Sequence, residues 1–206
     1  MLKSKRRTPE QRLAATDPRF ADLIAHVGPL PLQPLSLVRP FHALARSIAY
    51  QQLSGKAAAT IFGRVRGLYP TRKWLSPAHV LATSDDMFRA AGLSRNKTAS
   101  LKDLAARTLD GTVPSHAALT RMSDEEIIAR LTTVRGIGRW TVEMLLIFSL
   151  GRLDVWPVDD LGVRKGYART FRKRTVPTPK QLQVIGEKWR PYRSVAAWYF
   201  WRALET

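Results

Sequence analysis

The stretch VRGIGRWTVEMLL, residues 134–146, decides the fold. Its two glycines, Gly136 and Gly138, are separated by one residue and precede an apolar run that predicts a central buried helix. A helical pattern also ends just before them, near Leu131, so the glycines predict a tight hairpin between two helices. Since glycine lacks a side chain, the hairpin can approach a partner closely, and the free N–H groups of the next helix favour a phosphate. Arg135 and Arg139 add positive charge there, although the hairpin alone leaves a plain helix–helix turn as the alternative.

Helical periodicity continues on both sides of the hairpin, and no segment shows the convincing alternation of a strand. The fold class is therefore predicted to be all-α. Ser123 followed by Glu126 gives the capping-box pattern of a helix start, whereas the first dozen residues are predicted to be a loose basic arm. Helices are predicted at about residues 18–26, 77–82, 84–91, 123–131, 139–150, 160–171 and 178–190, with others starting at Phe41, near Ala58, near Leu101 and at Pro191.

The charge of the chain is strongly positive. Its 206 residues include 34 Lys and Arg against 16 Asp and Glu, which gives a formal net charge of +18. This balance favours a polyanionic partner, nucleic acid first and an anionic membrane surface second. Because the sequence has neither a run of about 18 apolar residues nor a secretory signal, we expect a soluble cytoplasmic protein with no membrane partner.

The absence of cysteine restricts the possible cofactors. Disulfides, cysteine-ligated zinc, iron–sulfur clusters and thiol nucleophiles are excluded. The four histidines are scattered without the spacing of a metal site. We therefore expect that no cofactor is required.

A pair of carboxylates, Asp159 and Asp160, follows the hairpin in the stretch VWPVDDLGVRK, residues 155–165. A helix is predicted to begin directly after the pair, and Asp is a preferred helix cap. A carboxylate can also stabilise the positive charge that develops on a sugar as its glycosidic bond breaks, and it can orient a water molecule. From the residues alone both roles stay open, and one carboxylate can fill both.

Four segments, in order, resemble one known family: SIAYQQLSGKAA, LTTVRGIGRWT, VWPVDDLGVRK and WRPYRSVAAWYFW. They are similar to the helix-hairpin-helix, Gly/Pro…Asp (HhH-GPD) superfamily of DNA glycosylases, in its AlkA-like 3-methyladenine DNA glycosylase II branch, from about Pro40 onward. The resemblance implies a glycosylase unit of two packed helical lobes, with the active site in the cleft between them and without the N-terminal β lobe of longer members. The central lobe would span about residues 41–150, including the hairpin 132–138, and about residues 1–40 and 151–206 would form the second lobe.

The resemblance implies a monofunctional DNA glycosylase, which flips an alkylated base out of duplex DNA and hydrolyses its N-glycosidic bond in base-excision repair. The expected lesions are 3-methyladenine, 7-methylguanine and related bases, and the chain is expected to act as a monomer. Asp160 is the implied catalytic acid, because Val163 and Arg164 follow it in the family's register. Bifunctional members carry a lysine where this chain has Trp140, so no lyase step is expected unless Lys165 substitutes for it. The alternative is a non-catalytic helix-hairpin-helix DNA-binding module in which the acid only caps a helix.

The resemblance also assigns roles to other residues. The base pocket is expected to contain Trp140 and Trp201, with Tyr50 as a weaker candidate and Met144 where well-known members have an aromatic residue. Family members insert a residue of the loop 51–53 into the emptied base stack, for which Gln52 and then Leu53 are the candidates. Contacts to DNA are implied for Gln51, Gln52, Leu53, Arg135, Gly136, Gly138, Arg139, Thr141 and Lys165. The hairpin carbonyls of Thr132, Val134 and Gly136 are expected to hold a structural monovalent cation, Na⁺ or K⁺.

Overall fold

The computed structural model describes residues 7–30, 39–71 and 75–205, and all the regular structure in those residues is helical. The predicted all-α class is therefore confirmed. The helices are α1 (Pro9–Ala14), α2 (Pro18–Val27), α3 (Pro40–Tyr50), α4 (Gly55–Gly67), α5 (Pro77–Ala82), α6 (Asp85–Ala90), α7 (Arg95–Leu109), α8 (His116–Leu119), α9 (Asp124–Leu131), α10 (Arg139–Met144), α11 (Leu161–Thr170), α12 (Pro179–Gly186) and α13 (Arg193–Arg202). A π-helical turn, Leu145–Ser149, continues α10, and a 3₁₀ turn, Glu187–Trp189, follows α12. Within the described part of the chain, the helices are all too short or too polar to cross a membrane.

Local sequence patterns set most of the helix starts. Ser123 and Glu126 form the predicted capping box at the start of α9. A second capping box starts α1 at Pro9, so the predicted loose arm is wrong from that residue on, while residues 1–6 lie outside the described part. The last helix begins at Arg193 rather than at the predicted Pro191. The sequence also missed α8, because a four-residue helix is too short to show a periodic pattern.

The chain divides into two compact units. Unit 1 combines Met1–Pro34 with Leu146–Thr206, and unit 2 is Leu35–Leu145. Unit 1 therefore brings α1 and α2 together with α11, α12 and α13, and unit 2 contains α3 to α10.

The core of unit 1 is aromatic. Phe20 of α2 lies against Trp189 and Phe200, with ring centroids 5.8 and 5.3 Å apart. Gly166 of α11 permits the backbone of α13 to come very close, because a Cβ at this position would overlap the carbonyl group of Phe200. This contact fixes the positions of α11 and α13 relative to each other. The N-cap of α11 is Asp160 and α13 carries Trp201, so the contact also places these two residues.

The core of unit 2 is mainly aliphatic. Leu44 and Ile48 of α3 are buried with Leu104 of α7 and Leu131 of α9. Helix α3 packs on both α4 and α7, and α9 packs on α10. Unit 2 thus holds the loop after α3 and the hairpin before α10 on packed helices.

Candidate active site

Asp160 is oriented by two hydrogen bonds. It stands at the N-cap of α11, where its Oδ1 accepts a hydrogen bond from the Val163 amide at 2.7 Å. The same oxygen accepts another from the indole Nε1 of Trp201 at 2.9 Å. Asp160 is half-buried, whereas the neighbouring Asp159 is exposed. The helix dipole further favours a negative charge at this place, so the structure distinguishes the two carboxylates of the pair.

A close approach of α13 to the first turn of α11 brings Trp201 to Asp160. A Cβ on Gly162 would lie 2.9 Å from Trp201 Cδ1 and 3.0 Å from Asp160 Oδ1, so a larger residue would force this pair to shift. Phe148 lies on the same indole, with ring centroids 5.5 Å apart. Sequence reasoning missed Gly162, although a glycine near the start of a helix and two residues after an acid is a usable sign of close packing.

The segment that leads into Asp160 is attached to the start of α13. Arg193 is almost fully buried and binds Asp154 twice, from Nε to Oδ1 at 2.8 Å and from Nη2 to Oδ2 at 3.0 Å. Ser194 Oγ accepts a hydrogen bond from the Val155 amide at 2.8 Å. These contacts fix the chain shortly before α11 and so help to place the carboxylate.

Unit 2 contains a pocket of about 550 Å³. Its volume lies within the range of ligand pockets, about 300–1,000 Å³. Trp140 is 47% exposed, so part of its indole is accessible to a ligand. The pocket brings together three predicted base-pocket residues, three predicted DNA-contact residues and two that the sequence did not indicate, and its lining is Arg46, Ser47, Tyr50, Gln51, Gln52, Trp140, Thr141 and Met144.

Arg46 and Ser47 were missed, although their spacing was a usable sign. They precede Tyr50 by four and three positions on α3, and residues at these spacings share one face of a helix. The guanidinium carbon of Arg46 lies 3.9 Å from the centroid of the Tyr50 ring, in a cation–π contact.

The loop between α3 and α4 carries the predicted wedge residues. Gln51 Nε2 donates a hydrogen bond to the Gly136 carbonyl at 2.8 Å, which ties this loop to the hairpin. Gln52 has φ 55°, a left-handed conformation that costs a residue other than glycine about 1–3 kcal/mol. Leu53 is 41% exposed. A strained loop that exposes a large apolar side chain fits insertion into a base stack, and both Gln52 and Leu53 stay candidates.

Lys97 of α7 supports the same loop. Its Nζ donates hydrogen bonds to the carbonyls of Ala49 at 2.8 Å and Gln51 at 2.7 Å, at the end of α3 where helix carbonyls lack helical partners. Burial lowers the pKa of Lys97. Sequence reasoning did not find Lys97. The chain has 34 Lys and Arg, and no local pattern distinguishes the lysine whose side chain binds the end of another helix.

The hairpin between α9 and α10 depends on its first glycine. Gly136 has φ 76°, a conformation that favours glycine, and a Cβ there would meet Ser100 Oγ at 2.5 Å. Val134 and Ile137 are buried and anchor the hairpin, whereas both Gly136 and Gly138 are exposed. Gly138 is the N-cap of α10 and contributes no side-chain cap. The hairpin therefore presents bare backbone at the surface of unit 2.

The arginines beside the hairpin have different surroundings. Arg135 is exposed, and its amide donates to Asp103 Oδ2 at 2.8 Å. Arg139 binds two carboxylates, Glu125 at 2.6 Å and Glu143 at 3.1 Å, and these pairs raise its pKa above the ordinary value. Arg139 therefore helps to hold α9 against α10, a structural role that the sequence did not indicate.

The remaining predicted contact residues lie in both units. Thr141 lines the pocket and is otherwise buried, and Lys165 is exposed on α11. Among the predicted cation ligands, the Val134 carbonyl accepts a hydrogen bond from the Ile137 amide at 3.1 Å and the Gly136 carbonyl accepts the one from Gln51. Since a carbonyl oxygen has two lone pairs, a single hydrogen bond to each is compatible with the predicted binding of a monovalent ion. In residues 7–30, 39–71 and 75–205, no group of three or more His, Cys, Asp or Glu side chains could hold a metal ion.

A glycine hairpin followed by a capped aspartate, in an all-helical chain, is the arrangement that the sequence resemblance implied. The family model described as "HhH-GPD superfamily base excision DNA repair protein" matches residues 45–191. This chain belongs to that superfamily, and the family predicted from the sequence is confirmed.

Named relatives within the superfamily are similar over nearly the whole chain. DNA-3-methyladenine glycosylase 1 of Schizosaccharomyces pombe is 40% identical over 194 residues, which are 94% of this chain and 85% of that protein. The solved structure of the S. pombe 3-methyladenine DNA glycosylase in complex with abasic DNA has a TM-score of 0.88 at 38% identity, covering 96% of this chain and 97% of that one. The crystal structure of a DNA-3-methyladenine glycosidase from Bacillus halodurans has a TM-score of 0.83 at 34% identity, covering 97% and 90%.

Proposed function

We propose that this protein is a monofunctional DNA glycosylase that excises alkylated bases, 3-methyladenine and 7-methylguanine among them, from duplex DNA in base-excision repair. The observation that carries the proposal is Asp160, a carboxylate held by the Val163 amide and the Trp201 indole. Family membership and the similarity to named 3-methyladenine DNA glycosylases support it.

The chemistry assigned to Asp160 is electrostatic and acid–base. As the base leaves, positive charge develops at C1′ of the deoxyribose, and a carboxylate beside it stabilises that charge. The same group can orient the attacking water and take its proton. Two donors on Oδ1 fix the direction of the carboxylate in advance, so that little reorganisation is needed during the reaction.

We assign the base that is flipped out of the duplex to the pocket of unit 2. Trp140 and Tyr50 offer aromatic surfaces for stacking, and Met144 adds a soft apolar wall. Because Met144 makes the pocket less aromatic, we expect an altered or broader choice of lesions. We assign Gln52 or Leu53 to the gap that the flipped base leaves. Trp201, which binds Asp160 in unit 1, stays a predicted base-pocket residue and is not part of the lining of the unit 2 pocket.

DNA phosphates are assigned to the exposed backbone of the hairpin. The amides near Gly136 and Gly138, the start of α10 and the exposed Arg135 supply the positive surface that a phosphate needs. Lys165, exposed in unit 1, is assigned a DNA contact of its own. A monovalent cation held by the carbonyls of Thr132, Val134 and Gly136 would add positive charge beside the same phosphate. We propose that the protein acts as a monomer in the cytoplasm, at the nucleoid in a bacterial cell.

The proposal is tested by counting abasic sites in methylated duplex DNA. After incubation with protein, hot alkali cleaves each abasic site and a gel measures the cleaved strand. Asp160→Asn should lower the rate of abasic-site formation by about 10³-fold while binding of the duplex stays close to wild type. Asp159→Asn is the matched control and should stay close to the wild-type rate, because Asp159 is exposed and adjacent.

Two outcomes contradict the proposal. An Asp160→Asn variant as active as wild type would remove the carboxylate from the reaction. A wild-type protein that binds the methylated duplex but forms no abasic sites would instead be a non-catalytic DNA-binding module.

A further inference from the structure

A positive charge lines the pocket that the proposed function assigns to the flipped base. Arg46 belongs to the lining, and its guanidinium lies on the Tyr50 ring at 3.9 Å from the centroid. One face of Tyr50 is therefore occupied by a cation. Because Arg46 is otherwise exposed, a bound base would meet its charge at the edge of the pocket.

Among the described residues that line the pocket, no acidic side chain balances this charge. None of the eight lining residues has a carboxylate, and polar groups there are amides, hydroxyls and the Trp140 indole. Arg39 at the N-cap of α3 and Arg66 of α4 add positive charge near His42 of α3. Burial lowers the pKa of His42, and the charges of Arg66, Arg46 and Arg39 lower it further. A base in this pocket would therefore meet a positive field from Arg46, whereas the carboxylate of Asp160 is assigned to C1′ of the sugar.

Such a field distinguishes two classes of lesion. A purine methylated at N3 or N7 carries a positive charge in the nucleotide and leaves readily as a neutral base, so a nearby guanidinium opposes its binding and adds nothing to its departure. In both classes the base keeps the electron pair of the C1′–N9 bond, but a neutral purine lesion, such as hypoxanthine or ethenoadenine, departs with a negative charge until it is protonated. A guanidinium has five N–H donors for the ring nitrogens and oxygens of such a base.

We infer that Arg46 is a specificity-determining residue, and this inference rests on the proposed function. Its guanidinium stabilises a neutral purine as that base departs, and it opposes the binding of a cationic purine. In that reaction the C1′–N9 bond breaks and the purine keeps its electron pair. Water adds its hydroxyl to C1′, and the proton that the water releases ends on the purine. Arg46 keeps its own proton throughout.

The test compares two lesions in one duplex under single-turnover conditions with saturating protein. Hypoxanthine and 7-methylguanine are placed at the same position, and Arg46→Met replaces the charge with an unbranched apolar chain. We expect hypoxanthine release to fall by about tenfold, which corresponds to about 1.4 kcal/mol, while 7-methylguanine release is unchanged or faster. Arg46→Lys, which keeps the charge, should retain more hypoxanthine release than Arg46→Met. Arg64→Met is the matched control on α4, because Arg64 is exposed and outside the pocket lining, and it should not alter the ratio of the two rates.

A second measurement does not depend on catalysis. Quenching of tryptophan fluorescence reports the binding of free hypoxanthine and of 3,9-dimethyladeninium, a fixed cation, to the same proteins. Arg46→Met should raise the affinity for the cation relative to hypoxanthine, and thermal unfolding checks that the variant is folded.

An equal loss of both excision rates in Arg46→Met would make Arg46 a phosphate contact or a structural residue and overturn the inference. An unchanged ratio, in excision and in free-base binding, would overturn it as well. A wild type that releases neither base would refute the proposed function instead, and the free-base affinities would still decide the role of Arg46.

Discussion

At the scale of single residues, Gly162 sets the geometry of the candidate catalytic carboxylate. The space that its missing side chain leaves is filled by Trp201 Cδ1 and Asp160 Oδ1, at 2.9 and 3.0 Å from where a Cβ would be. The hydrogen bond between Trp201 and Asp160 therefore depends on a residue that takes no part in the chemistry.

Gly162→Ala should slow base excision by about tenfold or more, because a displacement of about 1 Å at a reacting group can cost about 10²-fold. Single-turnover excision from methylated duplex measures the effect. Gly63→Ala is the matched control, since nothing lies within 4 Å of its Cβ position, and it should leave the rate unchanged. Wild-type excision by Gly162→Ala would show that the contact with Trp201 is not needed.

His42 should make the stability of the protein depend on pH. Its ring lies 5.4 Å from that of Phe62, and burial, followed by the charges of Arg66, Arg46 and Arg39, lowers its pKa. As the pH falls through about 6.5, the unfolded chain binds a proton at His42 that the folded chain does not yet bind, so the free energy of unfolding decreases.

Urea unfolding between about pH 8 and about pH 5 measures this dependence. His42→Gln should show a smaller loss of stability over that range, and His26→Gln, which changes an exposed histidine, should behave like wild type. Equal slopes for His42→Gln and wild type would contradict the assignment.

At the scale of elements, the loop after α3 is held by groups far away in sequence. Lys97 of α7 binds the carbonyls of Ala49 and Gln51, and the Gln51 side chain binds the Gly136 carbonyl. The loop that carries the wedge candidates and the hairpin are therefore one connected structure within unit 2.

Lys97→Met should reduce the free energy of unfolding by about 1–3 kcal/mol, because it removes charged hydrogen bonds to two carbonyls. It should also weaken base flipping, measured as the fluorescence increase of 2-aminopurine placed next to the alkylated base in the duplex. Lys102→Met is the matched control on α7. Lys102 forms a salt bridge with Asp85, whose side chain is largely exposed, so the loss of this pair should reduce the free energy of unfolding by no more than about 1 kcal/mol. Equal effects of the two substitutions would show that Lys97 has no particular role in the loop.

The sequence predicted features encoded locally or in short motifs. The glycine hairpin, the capping box of α9 and the position of Asp160 at a helix start were all visible in contiguous residues. Contacts between distant segments were not visible, which is why Lys97, Gly162 and the two hydrogen bonds from Arg193 to the Asp154 carboxylate were missed. The start of α1 was missed for another reason. Its capping box, Thr8 with Gln11, is local in sequence, but the basic residues around it favoured the prediction of a loose arm.

At the scale of the whole molecule, the net charge of +18 governs the interaction with DNA. Binding that neutralises about six to ten phosphates should give a plot of log K against log salt with a slope of about −5 to −9. Affinity for an abasic-analogue duplex from about 50 mM to about 200 mM NaCl measures the slope. Arg135 lies in the hairpin, and Arg135→Ala should reduce the magnitude of the slope by about 1. Arg89 lies near Asp86, and Arg89→Ala is the control that should leave the slope unchanged. A salt-independent affinity would contradict phosphate binding by the basic surface.

The most direct measurement of the central claim is chromatography of the bases released from a methylated duplex, together with the integrity of the DNA strand before alkali. We predict that wild-type protein releases free methylated purine and leaves an intact strand with an abasic site, and that Asp160→Asn binds the same duplex but releases about 10³-fold less base. Equal base release by Asp160→Asn, or no release by a wild type that binds the duplex, would contradict the account.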